Sequence, residues 1–517
     1  VICRQEGGAA FAAEAWGKLT GRPGIAFVTR GPGATNAAIG VHTAMQDSSP
    51  LILFGGQVAR GMKGREAFQE LDYRQLFGGV AKWATEIDSA DRVPEIVARA
   101  FHVALSGRPG PVVVALPEDM LVEETAAPPL RQRLAPRWPA ADPAAVRAAR
   151  DRLALADRPA ILVGGGGWDG EGRGGRAALD ALTRFAEVAE IPVATAFRWQ
   201  DLVDNNSPVF VGDAGVGMPA HVRRVLGEAD VVLALNIRFG ETVTDGYTLW
   251  QPPEMGAHLI HVHPSDAELG KVYQTADAHH ASPADFAAQL AALELGPSEG
   301  RRRWRSEARR AFAESFELPE QPGALDMGVV MGELRRALPD DAILTNGAGN
   351  FAIWPTRQFL FGPGHRLLGP QAGAMGAGLP AAVAAGLAAP GRRVVCFAGD
   401  GDLQMTMQEL GTALQEGVQP VVLVVNNGTY GTIRMHQERE FPGRVSGTDL
   451  TNPDFTAIGR AYGMHAERVT ETAGFPGALA RAMESQSGAL LELVVDAEAI
   501  TPRTTLAAIR AAARGAG

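Results

Sequence analysis

Apolar residues cluster in short runs along the chain, and each run is followed by a glycine-rich turn or a segment with helical spacing. The runs have four to six residues, the length of buried strands rather than of buried helices. Strands that alternate with helices predict parallel sheets covered on both faces, and therefore an α/β fold. The runs occupy residues 25–29, 50–54, 111–116, 160–163, 231–235, 258–263, 394–398 and 421–425.

Two segments without hydrophobic periodicity divide this pattern into three parts. Residues 123–143 are rich in proline, and residues 296–321 are rich in charged side chains. At about 150 residues per domain, a chain of 517 residues has room for three domains. We therefore predict three doubly wound parallel-sheet domains, over residues 1–125, 144–296 and 325–500.

Composition excludes several classes of protein. Lys and Arg number 48 against 58 Asp and Glu, a formal net charge of −10, so the chain lacks the basic surface of a nucleic-acid-binding protein. Two cysteines, Cys3 and Cys396, cannot form a disulfide framework, and we expect a cytoplasmic protein. The longest apolar stretch, residues 379–389, is too short for a membrane span. These exclusions favour an α/β enzyme that acts on small molecules.

Candidate chemistry is concentrated where two polar loops follow two of the apolar runs. A Gly-Asp-Gly turn centred on Asp400 ends one run, and Asn427 lies in the loop after the next. The 24 residues between these loops are enough for a helix, predicted over 404–416, and a returning parallel strand. Both loops should then meet at the carboxyl edge of one sheet. There Asp400, Asn427 and a nearby backbone carbonyl would offer oxygen ligands to Mg²⁺, and the helix start would offer amides to a diphosphate.

Each of these motifs alone is more often an ordinary turn. Together they resemble the motifs of thiamine diphosphate-dependent enzymes of the acetolactate synthase, pyruvate oxidase and benzoylformate decarboxylase type. The resemblance extends along essentially the whole chain and is strongest at GDGDLQM (399–405), NNGTYG (426–431) and GAMG (373–376). It implies a pyrimidine-binding, a central and a diphosphate-binding domain, in that order.

The resemblance also implies which residues hold the cofactor, thiamine diphosphate. Asp400, Asn427 and the carbonyl of Thr429 correspond to the Mg²⁺ ligands, and Met405 corresponds to the apolar side chain that keeps the cofactor bent. Asn350 stands where the family contacts the diphosphate, although a Gln-His pair is common there. The other cofactor-binding residues implied are Met375, Gly399, Gly401 and Asp402.

In the first segment, Glu6 occupies the position of the family's catalytic glutamate, which shares a proton with the pyrimidine ring of the cofactor. Without the resemblance, Glu6 would be an ordinary acid at a helix start. Residues 29–58 resemble a glycine-rich active-site loop, with Arg30 where serine is common. Gln69 matches the acetolactate synthase group and is expected to face the reacting carbon; the alternative is a surface amide. Only five residues precede Glu6, so we expect the strand and helix that come before it in the family to be missing.

The central segment contains a glycine-rich loop, residues 165–170, that fits a weak dinucleotide-binding pattern. No well-placed acidic residue supports that pattern, and FAD is open but not favoured. Five histidines could suggest a metal site, but their spacing favours polar residues at strand ends. They are His258, His261, His263, His279 and His280.

The resemblance implies an enzyme, a transferase or lyase, that decarboxylates a 2-oxo acid and transfers the acyl carbanion or enamine to a second carbonyl compound. Pyruvate giving acetolactate is the first assignment, although Arg434 and His436 differ from biosynthetic acetolactate synthases and indicate another acceptor or acyl pocket. The alternatives are a benzoylformate-type decarboxylase or aldehyde lyase, a flavin-dependent oxidoreductase, and a catalytically silent regulatory subunit. The family also implies a homodimer or homotetramer with active sites between subunits.

Overall fold

The apolar runs form the strands of three sheets in the computed structural model, which describes residues 1–131, 134–169 and 175–515. Every pair of neighbouring strands is parallel, which confirms the predicted α/β class. The strands are β1 (Gly24–Val28), β2 (Leu51–Gln57), β3 (Trp83–Glu86), β4 (Pro111–Pro117), β5 (Pro159–Val163), β6 (Val193–Ala196), β7 (Phe210–Ala214), β8 (Val231–Leu235), β9 (His258–His263), β10 (Asp277–His280), β11 (Ile343–Asn346), β12 (Arg366–Leu368), β13 (Val394–Gly399), β14 (Val421–Asn426), β15 (His465–Val469) and β16 (Ala489–Val494).

Helices connect most of the consecutive strands, as is usual for parallel pairing. They are α1 (Glu6–Thr20), α2 (Gly31–Asp47), α3 (Tyr73–Phe77), α4 (Val93–Leu105), α5 (Pro143–Leu155), α6 (Gly175–Ala189), α7 (Ala220–Gly227), α8 (Pro283–Ala291), α9 (Glu299–Glu314), α10 (Met327–Ala337), α11 (Ile353–Arg357), α12 (Gly378–Ala388), α13 (Asp400–Leu403), α14 (Leu410–Gln415), α15 (Gly431–Glu440), α16 (Phe455–Ala461), α17 (Phe475–Glu484) and α18 (Leu506–Gly515). No helix within the described ranges is long and apolar enough to cross a membrane.

One compact unit comprises residues 17–315 and 361–363 and contains two sheets. The first sheet has four strands in the order β1-β2-β4-β3, and the second has six in the order β10-β9-β8-β5-β6-β7. In the second sheet the chain builds outwards from the central pair β5 and β8, which is the strand order of dinucleotide-binding folds.

The other compact unit comprises residues 1–16, 316–360 and 364–517 and contains the third sheet, with strand order β12-β11-β13-β14-β16-β15. β13 and β14 are rich in β-branched and aromatic residues and are buried along nearly their whole length, as expected for central strands with both faces covered. The strand order reverses between β11 and β13. Open α/β sheets bind ligands outside the carboxyl ends of the strands at such a point.

The strands of the three sheets lie within residues 24–117, 159–280 and 343–494, inside the three predicted segments. The boundaries 1–125, 144–296 and 325–500 themselves stay predictions.

Candidate active site

The carboxylate of Asp400 joins the two polar loops at the carboxyl edge of the third sheet. This side chain is almost fully buried and follows β13 directly. Its Oδ2 atom accepts a hydrogen bond of 2.9 Å from the amide of Gly428, in the loop after β14. Its Oδ1 atom accepts one of 2.9 Å from the amide of Gly401. The predicted meeting of the two loops is therefore confirmed.

Burial raises the pKa of Asp400, because the charged form loses its hydration. Hydrogen bonds from Asn452, Gly401 and Gly428 act in the opposite direction and favour the carboxylate. A cation beside this group would favour the charged form further, so the environment suits a metal ligand.

The loop after β14 offers two more oxygen atoms as possible metal ligands, the side-chain oxygen of Asn427 and the backbone carbonyl of Thr429. The side-chain oxygen of Asn427 accepts the amide of Thr429 at 3.2 Å, which turns the loop, and the Thr429 hydroxyl donates to the Thr448 carbonyl at 2.9 Å. One carboxylate, one amide oxygen and a backbone carbonyl form the hard donor set that Mg²⁺ binds while keeping several waters. Over the described ranges no group of three or more His, Cys, Asp or Glu side chains could hold a metal, so carboxylate-rich sites are absent there.

Asp402, the second acid of the Gly-Asp-Gly-Asp motif, organises neighbouring loops. Its Oδ1 atom accepts the amide of Ala348 at 3.0 Å and the amide of Gly376 at 2.8 Å. A Cβ atom on Gly347 would lie 2.0 Å from the same oxygen, so only glycine fits there. Asp402 thus ties the loop after β11 to the GAMG loop, at the point where the strand order reverses.

The helix predicted over residues 404–416 is wrong in its start and continuity. A short helix, α13, begins at Asp400, the chain turns after Leu403, and α14 begins only at Leu410. The break coincides with Thr406, whose φ of −140° is not helical and whose hydroxyl donates to the Gly376 carbonyl at 2.7 Å. This tertiary bond replaces the helical continuation that the local spacing favours.

The two methionines of the candidate site lie on adjacent loops. Met405 is in the turn before Thr406, and its side chain is 48 % exposed. Met375 precedes Gly376, whose φ of +82° favours glycine and whose missing Cβ would lie 3.0 Å from the Cβ of Met405. The structure thus brings both predicted apolar residues to one place.

Asn350 is held by neighbours in the third-sheet unit. Its Oδ1 atom accepts the Thr432 hydroxyl at 2.8 Å, and its Nδ2 atom donates to the Ile500 carbonyl at 3.1 Å. The adjacent Phe351 covers Gly399, where an added Cβ would lie 2.7 Å from the aromatic ring. Asn350 therefore anchors the first turn of α15, and Phe351 packs against Gly399.

Sequence analysis missed Asn452, which lies at the centre of the polar network. Its Nδ2 atom donates to Asp400 Oδ2 at 2.8 Å and to Asn426 Oδ1 at 2.9 Å. Its own Oδ1 atom accepts the side-chain amide of Gln404 at 3.1 Å. The only local signal was an Asn-Pro dipeptide, which predicts a turn and nothing more.

Glu6 is the first residue of α1 and is half-buried in the unit that contains the third sheet. It therefore lies at a helix start, as its sequence context alone predicts. The carbonyl of Gln5 accepts the first helical hydrogen bond, from the amide of Ala9 at 3.0 Å. Glu6 belongs to this first turn, so its position depends on the contacts that hold this end of the helix.

Gln69 lies in a loop that is held against the start of α2. Its φ is +65°, and its carbonyl accepts the amide of Gly31 at 3.0 Å. Arg30 donates to the carbonyl of Phe68 at 3.3 Å and forms an ion pair with Glu118. The structure therefore places Gln69 beside the start of the glycine-rich run, and its active-site role stays a prediction.

The glycine-rich loop of the central segment is held by hydrogen bonds from one of its own side chains and from the loop after β8. The buried indole of Trp168 donates to the Gly164 carbonyl at 2.9 Å, and Asn236 after β8 donates to the Gly166 carbonyl at 3.0 Å. Gly170, the last glycine of the pattern, lies outside the described residues.

The two buried histidines of β9, His261 and His263, bond to backbone groups, whereas His258 contacts the Asp277 carboxylate at 2.7 Å. His261 contacts the Ile237 carbonyl at 2.9 Å, His263 accepts the Ser265 amide at 3.0 Å, and burial lowers their pKa values to about 4 and about 3. These contacts agree with the structural interpretation of the histidines.

Helix α15 follows the NNGTYG motif and contains Arg434 and His436. Arg434 donates to Glu438 Oε1 at 3.1 Å, and Arg510 of α18 donates to both oxygens of the same carboxylate at 2.8 Å. Glu438 is buried, whereas His436 is exposed. The guanidinium of Arg510, followed by the Gly443 amide and Arg434, lowers the pKa of Glu438 to about 2.

Comparison with known proteins covers all three segments. The chain matches the N-terminal TPP binding domain (residues 1–76), the central domain (146–290) and the C-terminal TPP binding domain (347–493) of thiamine pyrophosphate enzymes. It is 32 % identical to the acetolactate synthase isozyme 2 large subunit of Escherichia coli (strain K12), over 96 % of this chain and 88 % of that protein. It is 33 % identical to the acetolactate synthase large subunit of Parasynechococcus marenigrum, over 96 % and 80 % of the two chains.

The ion pairs of Glu438 predict how the stability of the fold depends on pH. A carboxylate with a lowered pKa stabilises the fold above its ordinary pKa of about 4.3, and that contribution is lost as the pH falls towards about 2. Glu438→Gln should lower the free energy of unfolding at pH 7 by roughly 1.5–3 kcal/mol, the range for hydrogen bonds to charged groups. Thermal unfolding should show this difference shrinking below pH 4. The exposed neighbour Glu440→Gln serves as control, and a pH-independent gap would contradict the assignment.

Proposed function

Because the chain belongs to the thiamine pyrophosphate enzymes, we propose that it is an acetolactate synthase-like enzyme that uses thiamine diphosphate (thiamine pyrophosphate). It breaks the bond between the carbonyl and carboxyl carbons of a 2-oxo acid, with pyruvate as the proposed substrate, and releases carbon dioxide. The acyl carbon then bonds to the carbonyl carbon of a second substrate, whose oxygen takes up a proton. The observation that carries this proposal is the Asp400–Gly428 contact, which joins the two cofactor motifs.

We propose Asp400, Asn427 and the carbonyl of Thr429 as ligands of Mg²⁺. Their chemistry fits a hard cation, and the cation would offset the cost of burying the Asp400 carboxylate. Gly399, Gly401 and Asp402 shape the adjacent backbone for a diphosphate, with Asn350 and Met375 at its margins. Met405, on its half-exposed turn, is the proposed apolar support of the cofactor.

When bound, the cofactor supplies a carbon nucleophile and an electron sink for decarboxylation. In this proposal the Glu6 carboxyl group holds a proton at a nitrogen of the pyrimidine ring, and the Gln69 side chain faces the reacting carbon. FAD is not favoured in the central domain, because no well-placed acidic residue supports the dinucleotide-binding pattern of its glycine-rich loop.

We also propose that the active form is a homodimer or homotetramer with active sites between subunits. The similarity of all three segments to thiamine pyrophosphate enzymes supports this proposal.

Oligomerisation can be tested in solution. Light scattering should give a mass of at least twice 54.4 kDa for the wild type. A fully active wild-type monomer would refute the proposal.

The proposed ligand role of Asn427 predicts a loss of binding. Asn427→Ala removes one oxygen donor, and calorimetry should detect no saturable binding of thiamine diphosphate with Mg²⁺. Asn206→Ala, at an exposed asparagine, is the matched control and should bind like the wild type. Wild-type affinity in Asn427→Ala would exclude this metal site.

Glu6 and the overall activity are tested together. The wild type with thiamine diphosphate and Mg²⁺ should release carbon dioxide from a 2-oxo acid in a panel, with products identified by mass spectrometry. Glu6→Gln should still bind the cofactor but lose at least about 100-fold in kcat, the usual size of a proton-transfer contribution. Glu299→Gln changes another acid at the first position of a helix and should keep full activity. No carbon dioxide from any 2-oxo acid would refute the function, and equal kcat values would refute the role of Glu6.

A further inference from the structure

The loop that carries Gln69 has a backbone that neighbouring contacts must hold. Gln69 has a φ of +65° and Glu66 a φ of +56°, both in the left-handed region that residues other than glycine rarely adopt. Such conformations cost free energy and persist only where the surrounding structure fixes them. The carboxylate of Glu70 fixes part of the loop, because it accepts the amides of Gly64 at 2.6 Å and Ala67 at 3.0 Å. These two bonds close the loop on itself but do not attach it to the first sheet.

Arg30 attaches the Gln69 end of this loop to the start of α2. Its Nη1 atom donates to the carbonyl of Phe68 at 3.3 Å, and its Nη2 atom forms an ion pair with Glu118, just after β4. The carbonyl of Gln69 accepts the amide of Gly31, the first residue of α2, at 3.0 Å. One side chain and one backbone bond therefore hold two consecutive loop residues against the glycine-rich run.

The residue at position 30 also determines how α2 begins. Serine, which is common at this position in the family, is a preferred helix cap, because its hydroxyl accepts an amide of the first turn. Arg30 lies at the cap position of α2, but within the described residues its side chain makes no cap hydrogen bond. Its guanidinium reaches the neighbouring loop instead. In this chain a contact with the loop of Gln69 therefore takes the place of a local helix cap.

The ion pair orders this loop more than it stabilises the whole domain. The side chains of Arg30 and Glu118 are 25 % and 45 % exposed, and ion pairs in contact with water contribute little to global stability. The planar guanidinium nevertheless bonds two partners at once and so fixes their separation. Arg30, Gln69 and Glu118 all belong to the first segment of one chain. The contact therefore acts in the same active site to which that segment contributes Gln69.

From this geometry we propose that Arg30 is a positioning residue that holds Gln69 at the reacting carbon and so favours transfer to the second substrate. The proposal rests on the proposed function and on the role of Gln69 in it, and it assigns Arg30 no contact with substrate or cofactor. After carbon dioxide leaves, the acyl carbon either bonds to the carbonyl carbon of the second substrate or takes up a proton and leaves as an aldehyde. A displaced Gln69 side chain opens room for water beside this carbon and favours the aldehyde.

The test uses a substitution that keeps the helix. Arg30→Ser removes the two side-chain contacts and supplies a hydroxyl that can cap α2, so this variant should fold. Gln69→Ala gives the signature of a lost Gln69 side chain, and the double variant Arg30→Ser/Gln69→Ala shows whether the two residues act together. Arg92→Ser is the matched control, because it removes another partly exposed arginine that forms ion pairs.

Two measurements are compared: amide hydrogen exchange of the cofactor-free protein, and kinetics with thiamine diphosphate, Mg²⁺ and a 2-oxo acid, in which ligated product and free aldehyde are both quantified. Arg30→Ser should speed exchange at the Gly31 amide, after correction for the changed neighbour, because the Gln69 carbonyl is no longer held against it. It should raise the share of aldehyde and lower the kcat for ligated product at least about tenfold, since small misplacements in an active site are costly. The KM for the 2-oxo acid should stay nearly unchanged. Gln69→Ala should change both products in the same direction, the double variant should lie within about twofold of Gln69→Ala, and Arg92→Ser should match the wild type.

Losses in kcat that multiply in the double variant would overturn the proposal, because Arg30 would then act independently of Gln69. Wild-type exchange at Gly31, or a wild-type share of aldehyde, in Arg30→Ser would overturn it as well. If Arg30→Ser does not fold, Arg30→Lys, which keeps the charge but not the planar pair of donors, decides through the same two measurements. Failure of the proposed function shows separately, as no carbon dioxide from any 2-oxo acid with the wild type, while exchange at Gly31 still reports on the Arg30 contact.

Discussion

The third sheet ends in loops that depend on buried carboxylates accepting backbone amides. Asp400 holds the loop after β14, Asp402 holds the loop after β11 and the GAMG loop, and Glu409 holds the start of α1. Loops that carry glycine for close approach to a ligand cannot be fixed by their own side chains. Side chains from neighbouring segments have to supply the order, and acids are suited to it because each oxygen can accept more than one hydrogen bond.

This arrangement has an electrostatic consequence. An acid that stays charged in a buried place needs hydrogen-bond donors or a cation. All three acids accept hydrogen bonds from protein groups. Burial nevertheless raises the pKa of Asp400, and a cation bound beside this carboxylate would offset the cost of burying it. This is the position at which we propose Mg²⁺.

The fold and the pairing of the two motifs could be predicted because both follow from short-range patterns. The 24 residues between the two loops, enough for a helix and a returning strand, leave few alternatives to a parallel pair. The remaining features depend on contacts between distant residues. The helix over 404–416 is interrupted because Thr406 bonds to Gly376, Asn452 reaches Asp400 across 52 positions, and Glu409 caps a helix 404 positions away. None of these contacts leaves a periodic or compositional signal.

We propose that the helix after NNGTYG shapes the pocket for the second substrate, because Arg434 and His436 differ there from biosynthetic acetolactate synthases. The structure constrains how Arg434 can contribute to such a pocket. Its guanidinium bonds to the buried Glu438, which Arg510 also contacts, and a buried acid stripped of its partners costs several kcal/mol. A substitution of Arg434 would therefore lower stability as well as change the proposed pocket. His436 is exposed and free of this constraint, so a substitution there would change the pocket at a lower cost in stability.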